Sequence, residues 1–410
     1  MMAPFPVNLV QNLGPVLAYI IFGVIGFAFG YVLEIAGFGN SKLLAAQFYF
    51  KDLTVLKVMF MAIIVAMTGV FLSAAVGLLD YNLVYVNPTY LWPGIVGGLV
   101  MGVGFIVGGF CPGTSLVGAA TGKIDAVLFV LGVFFGIFVF GETVGSFNDF
   151  FYSSYMGRFT LPQWLGLPTG WVVLLVILMA LFMFWGGEQL EKIFGGKDPA
   201  KAPKVRYAGA AALIVLALVT LGIGQPTNAE KWQSISAERQ FQLDAREVQI
   251  HPGELLATRE DSKLKLVMLD VRSEADYNVF HLLDAEHVPL DQVLDRVPDM
   301  LLEPANTVFV VMSNDEAAAT EAWKLLVAEA VPNVYILEGG INNWLATFDH
   351  DGEGMATTAA TGDDQLAYVF DSAVGSRHEA AYPNAEHFEL EFTPKIKLEL
   401  KRGPAGGGCG

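Results

Sequence analysis

Six long apolar runs dominate the first 224 residues of the chain. They cover about 16–37, 55–79, 91–110, 126–146, 170–187 and 206–224. A helix of about 20 apolar residues crosses the roughly 30 Å hydrocarbon core of a bilayer, and it satisfies all of its backbone polar groups internally. The pattern therefore predicts six membrane-spanning helices in contact with the lipid bilayer.

The charges are divided unevenly along the chain. Residues 1–224 carry 10 Lys or Arg and 9 Asp or Glu, whereas residues 225–410 carry 14 against 32 and all six histidines. This division excludes a single globular domain and predicts a nearly neutral membrane half joined to an acidic soluble half. The sequence has no basic patch that could bind the phosphate groups of a nucleic acid, so no nucleic acid partner is expected.

Basic residues in the short loops predict the orientation. The loops after the first, third and fifth runs carry most of the lysines, including Lys42, Lys123 and Lys192, whereas the loop after the second run carries none. Because basic short loops tend to stay in the cytoplasm, we expect the acidic half on the extracytoplasmic side of a prokaryotic inner membrane. If a broken helix near 40–53 crossed the membrane as an additional span, the acidic half would lie on the opposite, cytoplasmic side.

An internal repeat marks the membrane half. Segment 37–41 (GFGNS) ends the first run, and segment 109–115 (GFCPGTS) ends the third run, 72 residues later. Repeats that meet through broken helices commonly build transport sites, because unwound backbone is tolerated in a membrane only where it lines a cavity. We expect the glycines from Gly94 to Gly104 to pack helices and those from Gly108 to Gly122 to line a cavity.

Cys111 lies at the expected helix break. Hydroxyl groups and the free N–H groups of a new helix bind anion oxygens, and a soft thiol contacts sulfur, so the surrounding residues suit a sulfur-bearing anion. An inert, small apolar role for Cys111 has equal weight. For Glu34 and Glu142, near run ends, an interfacial or structural position is favoured over ion coupling. The expected path residues are Cys111, Pro112, Gly113, Thr114, Ser115 and Gly39.

The stretch 108–122 (GGFCPGTSLVGAATG), with its degenerate copy at 36–53, resembles the YeeE/YedE family of sulfur-compound transporters over roughly residues 16–224. The resemblance implies thiosulfate uptake along a narrow path, in which cysteines of paired motifs pass the ion inward through transient sulfur contacts. Cys111 matches one of these positions. Gly39 stands at the corresponding position of the first copy, so a relay of several cysteines is absent here.

Residues 225–410 alternate between strand and helix patterns, which predicts a parallel α/β sheet. The predicted strands are 264–270, 308–312 and 334–337, and the predicted helices are 291–300 and 316–328. Three sets of landmarks make the span 237–347 resemble a rhodanese domain. They are Asp270-Val271-Arg272, then His281 through Ala285 to His287-Val288-Pro289-Leu290, and Glu338-Gly339-Gly340 with Trp344.

The resemblance implies a catalytic cysteine at the start of the loop after the central strand, where N–H groups stabilise a thiolate. Ser313 stands at that position, and the loop continues with Asn314, Asp315 and Glu316. Two acids at a helix start repel thiosulfate and disfavour a thiolate, so we expect no sulfurtransferase catalysis. For Ser313, a helix N-cap is favoured over a hydrolase nucleophile, because no nucleophile elbow surrounds it.

The C-terminal extension ends in a glycine-rich arm that is flexible by composition and contains Cys409. A short strand is predicted at 395–400. Cys409 is a candidate sulfur carrier or ligand, and the alternative is a functionless exposed end. Cys111 and Cys409 are the only cysteines in the chain, so no disulfide framework is available. No metal or other cofactor is expected.

Together the patterns predict a multi-pass α-helical membrane domain with duplicated helix–broken-helix units, followed by an α/β rhodanese-like domain with a parallel sheet. The predicted boundaries are 1–224 for the membrane domain, 225–236 for a linker, 237–350 for the rhodanese-like domain, 351–364 for a second linker and 365–410 for the extension.

The leading hypothesis is a membrane protein that binds or transports a small sulfur-containing anion at Cys111, with a catalytically inactive rhodanese-like domain as a docking or gating module. The main alternative is a non-transporting scaffold subunit of a redox or sulfur-metabolising complex. In either case the acidic domain is a candidate surface for a membrane or periplasmic protein partner. A weaker alternative is a sulfur carrier that acts through Cys409.

Overall fold

The computed structural model describes residues 5–7, 9–196, 204–348, 356–357, 364–388 and 390–398. The chain divides into two compact units between Gln225 and Pro226. The first is all-helical and is called the membrane unit below. The second contains a mixed α/β fold and is called the soluble unit.

The described part of the membrane unit contains eleven α-helices. They are α1 (Leu9–Leu13), α2 (Pro15–Ile35), α3 (Ser41–Ala46), α4 (Thr54–Ala75), α5 (Leu91–Gly108), α6 (Pro112–Ala120), α7 (Ile124–Thr143), α8 (Asn148–Phe151), α9 (Leu161–Leu165), α10 (Thr169–Phe194) and α11 (Val205–Ile223). Short 3₁₀ turns lie at Gln47–Tyr49, Tyr81–Leu83 and Val144–Phe147.

Six helical stretches among the described residues are long and apolar enough to cross a membrane. They are Pro15–Ile35, Thr54–Ala75, Leu91–Ala120, Ile124–Phe151, Thr169–Phe194 and Val205–Ile223. Each overlaps one of the six predicted runs, so that prediction is confirmed. The chain is a multi-pass membrane protein.

The third stretch is a broken helix, as the sequence predicted. α5 ends at Gly108, Gly109 adopts a left-handed φ of 72°, and α6 begins at Pro112. Proline fits the first turn of a helix, where its missing N–H is not needed, but it disrupts a helix interior. The break therefore falls between Gly109 and Cys111, and Cys111 becomes the N-cap of the short helix α6.

The repeat consists of two successive units of long helix, short helix and long helix. Helices α2, α3 and α4 have 21, 6 and 22 residues, and α5, α6 and α7 have 18, 9 and 20 residues. Phe38 and Phe110 hold equivalent positions in the two copies. Both are buried in one apolar cluster with Leu44 and Val55. The predicted duplication is therefore present in the fold.

A second apolar cluster lies among α4, α10 and α11 and includes Ile64, Ile177 and Ala217. Gly170 permits the close approach of α10 to α11, because a Cβ at this position would lie 2.7 Å from the Cα of Leu221. Small residues at helix contacts allow the close packing on which membrane helices depend.

The space around the glycines of α5 and α6 does not match their predicted roles in packing and in lining a cavity. A Cβ built at Gly94, Gly97, Gly98, Gly102 or Gly104 would meet no atom within 4 Å, so the helix packing predicted for them is wrong within this chain. In contrast, a Cβ at Gly108 would lie 2.3 Å from the Phe129 ring, and one at Gly118 would lie 2.6 Å from the Cβ of Ala126. The tight contacts therefore occur at the glycines for which the sequence predicted a cavity.

The described part of the soluble unit contains six α-helices and seven strands. The helices are α12 (Asn228–Asp244), α13 (Pro252–Glu260), α14 (Glu274–Val279), α15 (Val293–Met300), α16 (Ala317–Ala328) and α17 (Gly340–Phe348). The strands are β1 (Gln249–Ile250), β2 (Lys265–Asp270), β3 (Glu286–His287), β4 (Thr307–Met312), β5 (Val334–Leu337), β6 (Ala356–Thr357) and β7 (Tyr368–Val369). Short 3₁₀ turns lie at Leu290–Gln292, Glu379–Ala381 and Ala385–His387.

Five strands form a parallel sheet in the order β1-β5-β4-β2-β3. The central strand β4 is buried along its whole length, as expected for a parallel strand covered on both faces. All three predicted strands and both predicted helices are observed within one or two residues of their predicted bounds. The remaining two strands, β6 and β7, form a separate antiparallel pair.

Apolar clusters cover both faces of the sheet, since alternate residues of β4 point to opposite sides. Residues 364–388 and 390–398, called the C-terminal arm below, complete one of these clusters. Phe370 stacks on Phe280 with ring centroids 5.6 Å apart, and the indole N–H of Trp344 donates to the carbonyl of Ala380 at 2.7 Å. The arm therefore belongs to the core of the soluble unit.

The strand predicted at 395–400 is wrong over residues 395–398, which pair with no strand. Their backbone N–H groups donate hydrogen bonds to side-chain oxygens instead. The N–H groups of Lys395 and Ile396 donate to Glu254 Oε1 at 2.7 and 2.8 Å, and the N–H of Lys397 donates to the Tyr335 hydroxyl at 2.8 Å. Residues 399–400 lie outside the described residues.

Candidate functional site

The thiol of Cys111 is held at the start of α6 by a capping box. The N–H of Thr114 donates to the Cys111 sulfur at 3.4 Å, and the N–H of Cys111 donates to the Thr114 hydroxyl oxygen at 2.9 Å. This reciprocal pairing satisfies two N–H groups at the helix start. The Cys111 side chain is consequently fixed at the positive end of the α6 dipole, where an anion is favoured.

Two hydroxyl groups lie in the same helical turn. Thr114 and Ser115 are buried, and Cys111 is partly exposed. The Thr114 hydroxyl lies 3.3 Å from the Cys111 sulfur, and the Ser115 hydroxyl donates to the carbonyl of Pro112 at 2.7 Å. The predicted path residues 111–115 therefore form one compact turn with a thiol at its accessible edge.

The equivalent turn in the first repeat has a different cap. Gly37 has a left-handed φ of 83°, and the side chain of Asn40 accepts the N–H of Lys42 at 3.1 Å as the N-cap of α3. Gly39 is buried between these residues. Its carbonyl oxygen lies 3.4 Å from the position of a Cβ on Gly118, so the structure brings Gly39 beside the last turns of α6.

Two polar contacts join the repeats near Gly39. The Lys123 ammonium lies 3.3 Å from Glu34 Oε1, and the Ser41 hydroxyl donates to Asp125 Oδ2 at 2.9 Å. The sequence assigned no role to Lys123 in the site and favoured an interfacial or structural place for Glu34. The only available signal was the position of Lys123 and Asp125 directly after the second motif.

The landmarks of the soluble unit surround a buried ion pair. Arg272 and Asp270 are fully buried, with 2.6 Å between Arg272 Nη2 and Asp270 Oδ2. The same Nη2 donates to the Phe280 carbonyl at 2.7 Å, and His287 Nε2 lies 3.0 Å from the carbonyl oxygen of Arg272. These contacts fix the loop after β2, and a further hydrogen bond from Arg272 Nη1 to Asn314 Oδ1 at 3.0 Å ties it to the loop after β4, which starts at Ser313.

The Ser313 side chain is buried inside its loop. Its hydroxyl oxygen accepts the N–H of Ala319 at 3.1 Å, in the first turn of α16. The N-cap of α16 is Glu316, so the prediction of Ser313 as the N-cap is wrong, although the serine still satisfies a helix-start N–H. Asn314 is also buried, and its side-chain oxygen accepts a hydrogen bond from Arg272 Nη1 at 3.0 Å.

Carboxylates of the chain itself occupy N–H groups of this loop. The N–H of Asp315 donates to Asp364 Oδ1 at 2.9 Å, and the N–H of Asp364 donates back to Asp315 Oδ2 at 2.8 Å. Burial raises the pKa of Asp364. Burial acts in the same direction on Asp315, but hydrogen bonds, chiefly from the N–H of Ala317 and of Asp364, outweigh it and lower the pKa of Asp315.

The other side of the loop is closed by Glu316 and Gly340. Glu316 Oε1 accepts the N–H of Gly339 at 2.7 Å and pairs with Arg246 at 2.7 Å. Gly340 has a φ of 62°, and a Cβ there would lie 2.0 Å from the Asp315 carbonyl oxygen and 2.4 Å from that of Ser313. The loop is thus packed against backbone on one side and filled by carboxylates on the other.

Cys409 and the glycine-rich arm lie outside the described residues. Within the described ranges, no group of three or more His, Cys, Asp or Glu residues is arranged to hold a metal ion. The sites for which the structure gives contacts are therefore the turn at Cys111, the ion pair beside Gly39 and the closed loop at Ser313.

Comparison with known protein families agrees with both resemblances. A model of the sulphur transport family matches residues 36–242, half of the chain, and a model of the rhodanese-like domain matches residues 251–347. The first match includes both repeat motifs and extends into α12. No curated protein and no solved structure matches the chain. The chain therefore belongs to the sulphur transport family of membrane proteins and carries a rhodanese-like domain after its membrane helices.

Proposed function

We propose that this transporter of sulfur compounds moves a small sulfur-containing anion of the thiosulfate kind along a path that passes Cys111. The observation that carries the proposal is the position of the thiol, which is partly exposed at a helix break and aligned with the start of α6. A helix start favours anionic oxygens, and the thiol offers a soft contact to sulfur.

The proposed path consists of Cys111, Pro112, Gly113, Thr114 and Ser115 in the second repeat and Gly39 in the first. The capping box supports this assignment, because it fixes the thiol without burying it. A purely structural cysteine is more often fully buried among apolar side chains. In this membrane unit the fully buried position is taken by the neighbouring Phe110.

Uptake of ³⁵S-labelled thiosulfate into proteoliposomes that contain the full chain tests the proposal. We expect Cys111→Ala to lose most of the uptake. Cys111→Ser is the matched variant, because a hydroxyl still caps the helix but lacks the soft sulfur contact, and it should also lose most of the uptake. Uptake equal to wild type in both variants would overturn the role of Cys111.

For the rhodanese-like domain we propose a docking or gating role without sulfurtransferase catalysis. The loop at Ser313 supports this role, because Asp364 occupies the N–H of Asp315 within the loop, and Glu316 occupies the N–H of Gly339 beside it. Thiocyanate formation from thiosulfate and cyanide by the purified full chain tests the proposal. Turnover above that of a Ser313→Ala variant would contradict it.

We further propose that the chain lies in a prokaryotic inner membrane with the soluble unit outside the cytoplasm, where its acidic surface binds a membrane or periplasmic protein. The lysines in the loops after the first, third and fifth spans support this orientation. The short helices α3 and α6 are 6 and 9 residues long, so neither adds a crossing of its own. Digestion of the soluble unit by protease added to intact spheroplasts is the expected result, and protection would reverse the orientation.

A scaffold subunit remains the second candidate. The absence of a thiol at Gly39 and the closed loop at Ser313 favour it, because both reduce the chemistry available to this chain. Purification from native membranes separates the two functions. Stoichiometric partner proteins without thiosulfate uptake would support the scaffold, whereas uptake by the isolated chain supports the transporter. Persulfide on the peptide that contains Cys409 would identify the sulfur carrier.

A further inference from the structure

The space beside Gly39 is filled by an ion pair. Gly39 aligns with Cys111 through the 72-residue repeat, and it does not have the positive φ that restricts a position to glycine. A Cβ on Gly39 would nevertheless lie 2.3 Å from Glu34 Oε2 and 2.9 Å from Lys123 Nζ. Where the second repeat has a thiol, the first repeat therefore has a carboxylate and an ammonium group.

This ion pair joins the two repeats. Glu34 lies in the last turn of α2, and Lys123 is the N-cap residue of α7. The Lys123 ammonium donates to Glu34 Oε1 at 3.3 Å. The other oxygen, Oε2, is buried and has no hydrogen-bond partner in the described part of the chain. A carboxylate held so incompletely is easily replaced by an anion with better geometry.

The position of Lys123 suits an anion that leaves Cys111. Gly118, which contacts Gly39, lies seven residues after Cys111, or about 10 Å along α6 at about 1.5 Å per residue. At the start of α6 the helix dipole favours an anion, but at its end the dipole opposes one. An anion that moves along this helix therefore needs a cation at its far end, and Lys123 is partly buried there.

We propose that Lys123 forms a second anion-binding position on the transport path, beside Gly39, and that Glu34 occupies Lys123 until the substrate anion replaces it. This inference rests on the proposed transport of a sulfur-containing anion. Lys42, the nearest cation along the chain in the first repeat, is exposed on α3, whereas Lys123 is partly buried. The two positions differ in chemistry: Cys111 contacts sulfur, and Lys123 pairs with negatively charged oxygen.

Opposite effects of two variants test the inference. In the proteoliposome assay with labelled thiosulfate, Lys123→Gln removes the cation and should raise the KM by about tenfold or more. Glu34→Gln removes the internal competitor and should lower the KM, because Lys123 no longer has to release a carboxylate. Lys123→Arg keeps the charge and should stay near the wild-type KM, which also guards against a folding defect in Lys123→Gln.

Glu188→Gln is the matched control, since Glu188 pairs with Arg206 at 2.5 Å between α10 and α11, two helices that belong to neither repeat. Its KM should not change. If Lys123→Gln and Glu34→Gln impair uptake alike, or both leave it unchanged, the pair only joins helices and the inference is overturned. If wild type takes up neither thiosulfate nor sulfite nor sulfide, the proposed function fails as well.

Discussion

Replacement of Gly340 by alanine should severely destabilise the soluble unit. Gly340 has a φ of 62°, which costs a non-glycine residue about 1–2 kcal/mol. The new Cβ would also lie 2.0 Å from the carbonyl oxygen of Asp315, 2.4 Å from that of Ser313 and 2.7 Å from that of Asn314. Because all three atoms belong to backbone, no side chain can move aside, and we expect a total loss above about 4 kcal/mol.

Gly375→Ala is the matched control for this prediction. Gly375 has a φ of 58°, but the nearest atom to its Cβ would be His281 Cε1 at 3.3 Å, so only the conformational cost of about 1–2 kcal/mol applies. For a unit of this size about 1 kcal/mol shifts the Tm by about 2–4 °C. Gly340→Ala should therefore melt at least about 4–8 °C below Gly375→Ala.

Pulse proteolysis after brief heating of the full chain in detergent measures this difference, because an unfolded soluble unit is cut rapidly. Equal melting of the two variants would refute the reasoning. It would mean that the backbone of the loop from Ser313 to Asp315 moves away from Gly340 at little cost. The loop would then be open to ligands, and its closed packing would no longer prevent sulfurtransferase activity.

Three further predictions concern the loop and the thiol. Burial raises the pKa of Asp364 in the folded state. Ionisation of Asp364 therefore destabilises the folded unit, and the loss of stability grows as the pH rises through that pKa. Asp364→Asn keeps the acceptor for the Asp315 N–H and should raise the Tm at pH 7, and a lower Tm would contradict this. Ser313→Cys should form no thiocyanate from thiosulfate and cyanide, because the new thiol is buried; measurable turnover would disprove it. Thr114→Val removes the hydroxyl that accepts the Cys111 N–H, should cost about 1–3 kcal/mol in unfolding free energy, and should reduce thiosulfate uptake; wild-type values of both would refute it.

Most of the membrane fold was predictable because the bilayer limits the solutions. Each apolar run had to form a helix that satisfies its own backbone, so hydropathy alone located the spans. Pro112 located the break in the third span, since proline cannot continue a helix. In the soluble unit, short β-branched runs such as 308–312 predicted buried strands for a similar reason.

Long-range contacts were the part that the sequence could not predict. The alternation after Lys395 predicted a strand, yet the N–H of Lys395 is satisfied by the side chain of Glu254, 141 residues away. The ion pair of Glu34 and Lys123 joins residues 89 positions apart. By comparison, Cys111 and Thr114 are three residues apart, and their capping box follows a local pattern.

The C-terminal arm also constrains the order of events during synthesis. Its apolar side chains, from Leu366 to Ile396, fill a cluster whose other members start at Ile250. That cluster cannot close until Ile396 has left the ribosome, long after the last described membrane helix, which ends at Ile223. Since domains fold as units during translation, insertion into the bilayer should be complete while this domain still lacks its final layer. A chaperone that binds nascent apolar surface would then have its longest opportunity at the β-sheet face that the arm covers.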